Sequence, residues 1–178
     1  MAELNLFGGP MFGGKSDACY SKCSELQAVG IPVILVRPLR DTRSDDLITH
    51  AGKQLECLQV VNLSDIFGFP EYDRCPCVAI DEAQFLDDLV PAVETMLEDG
   101  KKIYVYGLNG TAEQKPFGHF LELEPLADSY TKMTALCQYC SVPTPAPFTI
   151  CDVALPESKI LPGGAEIYSA VCRRHLKK

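Results

Sequence analysis

The sequence predicts an α/β fold: a parallel β-sheet covered by helices, followed by a small metal-stapled appendage. Three observations predict it. Up to about residue 110, short apolar runs alternate with stretches of helical spacing. A glycine-rich loop lies between the first apolar run and the first helical stretch. Past about Tyr130 the helical periodicity disappears while proline and cysteine increase.

The elements follow in order. Leu4-Asn5-Leu6-Phe7 reads as the first strand, and residues 15–29 as the first helix. Residues 31–36 form a β-branched run, the mark of a buried strand. Residues 41–44 are polar and loop-like, and residues 55–61 carry another strand signal. Residues 77–80 make a short apolar strand that ends in Asp81-Glu82. Residues 85–97 place apolar side chains at helical spacing, and Gly100 stops that helix. Residues 103–106 supply the next strand. The expected division is an α/β domain over 1–130 and an appended domain over 131–178. The second part carries Pro143, Pro145, Pro147, Pro156 and Pro162, too many to extend the sheet.

Composition narrows the function classes. A chain of 178 residues suits one domain plus a small appendage. Its 47% apolar content supports a core. A net charge of −8 argues against broad binding to nucleic acid or anionic membrane. No apolar run reaches the roughly 18 residues of a membrane helix, and no leader pattern opens the sequence. The expectation is a cytoplasmic protein. Nine cysteines, an odd number, point to reduced thiols, some of them on a metal, rather than to a disulfide scaffold.

The loop is Gly9-Pro10-Met11-Phe12-Gly13-Gly14-Lys15-Ser16, of the form G-x-x-x-x-G-K-S. Its glycines let successive backbone N–H groups turn inward on phosphate oxygens. The following helix N-terminus adds partial positive charge. Lys15 would reach the β- and γ-phosphates of a nucleotide, and the Ser16 hydroxyl would ligate Mg²⁺. Such a loop needs an acid at the end of a neighbouring strand to help hold the metal, and Asp81 stands at a strand end. Adjacent acids there can divide the labour, one serving the metal and the other acting as base. No Asn-Lys-x-Asp guanine reader occurs, which argues against a regulatory GTPase.

Cys137-x-x-Cys140 and Cys172-x-x-His175 form two close pairs separated by residues 141–171. That spacing and donor set fit a tetrahedral structural zinc site, whose four protein ligands leave no open position for catalysis. Zinc there would pin both ends of the proline-rich loop, which makes that loop a natural lid.

Together these strings resemble the type II thymidine kinases. The resemblance rests on Gly-Pro-Met-Phe-x-Gly-Lys-Ser at 9–16, Asp-Thr-Arg at 41–43, Ile-Asp-Glu-x-Gln-Phe at 80–85 and Lys-Pro-Phe-Gly at 115–118. It continues in Pro-Leu-Ala-Asp-Ser at 125–129, Lys-x-Thr-Ala-x-Cys-x-x-Cys at 132–140 and Gly-Gly-Ala-x-x-Tyr at 163–168. It implies a P-loop, RecA-like parallel sheet with a zinc-binding lasso subdomain. It also implies transfer of the ATP γ-phosphate to the 5′-hydroxyl of thymidine, with deoxyuridine as a second acceptor. The loop residues 9–16 with Asp41, Thr42, Arg43, Asp81 and Gln84 would bind ATP and Mg²⁺. Glu82 would be the general base, and Arg43 would offset charge on the transferring group. Met11, Phe85, Leu108, Ala112 and Phe117 would wall the base pocket, with Thr149 facing the thymine methyl. Lys159, Ile160, Leu161, Pro162, Gly163 and Tyr168 would form the lid. The family pattern further implies a homotetramer or dimer and feedback by dTTP. The chain departs from that pattern at Ala112, where an aromatic usually packs on the base, and at His175, which replaces a cysteine.

Overall fold

The computed structural model describes residues 1–39, 46–48, 54–154 and 161–176. Strand β1 (Glu3–Gly9) runs through the glycine-rich loop into helix α1 (Lys15–Ala28), and β2 (Val33–Pro38) follows. β3 (Asp46–Ile48) and β4 (Gln54–Glu56) pair with each other, antiparallel and apart from the main sheet. Next come β5 (Leu58–Val60), helix α2 (Pro70–Arg74), β6 (Cys77–Ile80), helix α3 (Leu89–Glu98) and β7 (Lys102–Leu108). β8 (Ser129–Lys132) precedes the short pieces β9 (Ala135–Leu136), β10 (Pro145–Ala146), β11 (Phe148–Cys151) and β12 (Tyr168–Val171).

Among the described residues, the main sheet has six strands in the order β5-β2-β6-β7-β1-β8. Every described pairing in it is parallel. The α/β class read from the sequence therefore holds. Three details differ. The strand expected over 55–61 splits, and only β5 joins the main sheet, because residues 54–56 turn away to pair with β3. The helix expected from residue 85 starts at Leu89, after a 3-10 turn at Ala83–Phe85. The sheet also gains a sixth strand, β8, which runs across residue 130 and pairs with β1.

Alternation sorts the strand residues onto two faces. Leu4, Leu6, Ile34, Val36, Val78, Ile80, Ile103 and Val105 face the larger core, beneath Leu89, Ala92, Val93 and Met96 of α3. Leu35, Ala79 and Tyr106 face the other side, where Cys19 and Cys23 of α1 cover them. Those two cysteines, one helical turn apart, are core hydrophobes. α3 ends where Gly100 takes a φ of 76°, and Lys101 N–H then returns to the Met96 carbonyl. That left-handed cap is why glycine stands there. No described helix is long and apolar enough to cross a membrane. Parallel strands carry the loop ends of β1, β2, β6 and β7 to one edge of the sheet, and the site forms there.

Candidate active site

β1 ends in the glycine-rich loop, and the loop ends at the first turn of α1. Lys15 is buried, its ammonium folded back to donate to the Pro10 carbonyl. Ser16 Oγ donates to Asp81 Oδ2 at 3.1 Å. The acid's strand does not pair with β1: β7 lies between β1 and β6. The contact forms because the glycine-rich loop sets the first turn of α1, and with it Ser16, beside the end of β6.

Asp81 is 1% exposed. Burial, then the neighbouring Glu82 carboxylate, push its carboxyl up to about 6, against the opposing pull of Arg37, Ser16 and Lys15. Arg37, at the end of β2, lies 3.7 Å from the same Oδ2 through its Nε. The sequence reading missed Arg37. Its one signal was a charged residue directly after a buried apolar run. The raised carboxyl has a consequence for stability. The folded-state value lies above the ordinary 3.8, so the neutral form favours folding at low pH. That contribution is complete below about pH 4 and is lost as pH rises through about 6. In Mg²⁺-free buffer, Asp81→Asn should therefore gain stability relative to the native chain, by roughly 2 to 3 kcal/mol between pH 4 and pH 7, any loss of zinc in acid being common to both chains. Parallel denaturation curves at the two pH values check it, and an unchanged difference would contradict it.

Glu82 adopts a left-handed backbone with φ 54°, uncommon for a residue with a Cβ. Its Oε2 accepts from Gln84 Nε2 at 2.7 Å, and Gln84 Oε1 accepts from the Leu108 N–H at 2.8 Å. Gln84, assigned to ATP from its motif, thus bridges Glu82 to the end of β7. Gly118 backs this bridge. Its φ is 53°, and a Cβ there would overlap the Gln84 carbonyl oxygen. Gly118→Ala should cost on the order of 3 kcal/mol, since strain and overlap act together on backbone. Thermal unfolding of the variant measures it, and a shift under about 1 °C would refute it.

The pocket candidates make contacts of their own. Phe85 and Phe117 meet edge to face, with centroids 5.3 Å apart. Phe85 also lines an open cleft with Pro38, Val60 and Asn62. Met11 N–H donates to Thr149 Oγ1 at 2.9 Å. Ala112 lies in a turn closed by Thr111 N–H to the Lys115 carbonyl. Gln114 Nε2 reaches both the Ala112 carbonyl and, at 3.3 Å, that of Thr149. Gln114 was not singled out from sequence. Tyr168 donates its hydroxyl to the Leu161 carbonyl at 2.6 Å, next to Pro162 and Gly163. Asp41, Thr42, Arg43, Lys159 and Ile160 lie outside the described residues.

The two distant pairs converge. The ligand atoms of Cys137, Cys140, Cys172 and His175 all lie within 4.8 Å of one another. Cys140 and Cys172 sulfurs are 3.8 Å apart, and His175 Nδ1 lies 3.4 to 3.5 Å from three sulfurs. A tetrahedral Zn²⁺ with bonds of about 2.3 Å to sulfur and 2.0 Å to nitrogen has edges of about 3.8 Å and 3.5 Å. The residues fit that ion. At Cys137, burial is outweighed by backbone N–H groups of Cys172 and Tyr139 and by His175, which lower the thiol to about 6. A thiolate is the form that binds metal.

A parallel sheet whose first strand runs through a glycine-rich loop into a helix, with two acids at the same sheet edge, is an arrangement able to receive a phosphate group. Comparison with known proteins is more specific. The family described as Thymidine kinase matches residues 2–176. A thymidine kinase of Oryza sativa subsp. japonica is 36% identical over 180 residues, covering 97% of this chain and 65% of the rice protein. The cytosolic thymidine kinase of Homo sapiens is 34% identical over 172 residues, covering 96% of this chain and 71% of that protein. The thymidine kinase of Variola virus is 32% identical over 173 residues, covering 97% and 95%. The chain belongs to the thymidine kinase family.

Proposed function

We propose that the protein transfers the γ-phosphate of ATP to the 5′-hydroxyl of thymidine. The observation that carries this is the Lys15–Ser16–Asp81–Glu82 group at one sheet edge, in a chain of this family. Such a reaction is mainly positioning and electrostatics. Lys15 and the loop amides would hold the phosphates, and Ser16 and Asp81 would hold Mg²⁺. Glu82 would take the proton from the nucleoside hydroxyl, and Arg43 would offset charge on the transferring group. Met11, Phe85, Leu108, Ala112, Phe117 and Thr149 would enclose the base, with the 159–163 segment and Tyr168 as lid. The four Cys and His ligands would carry zinc as a structural ion.

Ala112 bears on selectivity. Without an aromatic at that position, stacking worth about 0.5 to 1.5 kcal/mol is absent, a three- to tenfold loss in base affinity. Deoxyuridine is therefore a second acceptor to examine. A cytosolic location, assembly as a tetramer and feedback by dTTP extend the same reading. ADP release from ATP and Mg²⁺ against thymidine, deoxyuridine and deoxycytidine tests it. Release with thymidine is the expected result. No release with any of the three, from protein that binds ATP, would overturn it.

A further inference from the structure

The glycine-rich loop touches more than the sheet. Two consecutive residues at its crown belong, by contact, to the appended unit. Met11 donates its backbone N–H to Thr149 Oγ1, across 138 residues of sequence. Phe12 packs its ring against the apolar cluster of Ala135, Ala146, Ile150, Ala170 and Val171. It does so from a left-handed backbone, φ 62°, which a bulky residue adopts only when its surroundings compensate. Thr149 is itself 6% exposed and is held on both sides. β11 pairs it with Ala170 of β12, and the Gln114 amide donates to its carbonyl. β12 leads directly into Cys172.

This placement matters for phosphate binding. A loop of this kind works only if its amides converge, and a free loop of four residues between Gly9 and Gly14 has many other conformations. The Met11 N–H is withdrawn from the anion and used as an anchor. The amides at the start of α1 then remain to face phosphate.

We propose that Thr149 is a positioning residue of the phosphate loop: its hydroxyl fixes Met11 and thereby the loop's nucleotide-binding conformation. This rests on the reading of the loop as the ATP site and adds a role for Thr149 that is separate from contact with the base. The two roles use different atoms. The hydroxyl serves the loop, and the methyl serves the pocket. Thr149→Val keeps the shape and removes the acceptor. Thr149→Ser keeps the acceptor and removes the methyl.

The test measures binding of a non-hydrolysable ATP analogue without nucleoside, alongside the KM for thymidine. Losing one hydrogen bond to an uncharged group should weaken analogue binding three- to tenfold in Thr149→Val. Thr149→Ser should bind the analogue within about twofold of the native chain and show its change in the thymidine KM instead. Native-like analogue binding by Thr149→Val, or an equal loss in both variants, would overturn the proposal. Hydrogen exchange on the native protein gives a reading that needs no variant. The Met11 amide should be protected in the nucleotide-free, zinc-loaded protein, and exchange at the rate of an open loop would also overturn it. Failure of the kinase reading is distinct: it would appear as absent turnover while Met11 stays protected.

Discussion

Glu82→Gln should lower kcat by about 10²- to 10⁴-fold while leaving ATP-analogue binding nearly unchanged. The substitution is nearly isosteric. The new carboxamide oxygen can still accept from Gln84 Nε2, so the bridge from Glu82 to the Leu108 amide survives. What disappears is the ability to take a proton. Asp81 is a poor substitute base, because Ser16 and Arg37 both engage its Oδ2. The left-handed backbone at Glu82 also aims its side chain differently from that of Asp81, the last residue before the turn. Steady-state ADP release with thymidine reads the effect. A kcat within threefold of the native value would remove Glu82 from the base role.

Cys140→Ser should abolish stoichiometric zinc and unravel the appended unit while the main sheet stays folded. Among the described residues, the unit's apolar cluster has seven buried members, and two of them, Cys137 and Cys172, are in the candidate ligand set. So small a core does not hold a fold by burial alone. Structural zinc supplies about 10 to 16 kcal/mol of apparent folding energy in zinc-finger peptides, and much of that should be lost with one thiolate. The main core, by contrast, is built from residues 4–130 and shares none of the ligands. Metal analysis should fall from one zinc per chain to a small fraction. Limited proteolysis should cut within 131–176 first. Retention of stoichiometric zinc with native-like resistance to protease would sink the assignment.

Much of the site was legible because its signals are local. The loop at 9–16 is contiguous, the acids at 81 and 82 are adjacent, and each metal pair spans four residues. Motif spacing encodes such features directly. The residues that escaped notice act across distance. Arg37 has no motif, and its meaning comes from β2 lying beside β6. Gln114 lies in a polar turn and gains a role only because that turn abuts β11. β8 was hidden by its polar composition, Ser-Tyr-Thr-Lys, at the edge of the sheet, where burial does not demand an apolar run.

The sequence by itself determined the α/β class, and it placed the glycine-rich loop, the paired acids and the Cys and His pairs that converge in the fold. Periods of two and 3.6 residues and short motif spacings are written in neighbouring positions. Only the tertiary structure decided that β7 separates β1 from β6, that Arg37 meets Asp81, and that Thr149 anchors Met11. Those contacts depend on strand order and on how the appended unit seats against the sheet. Both are settled by burial of whole faces and by pairing of distant polar groups, which no local pattern records.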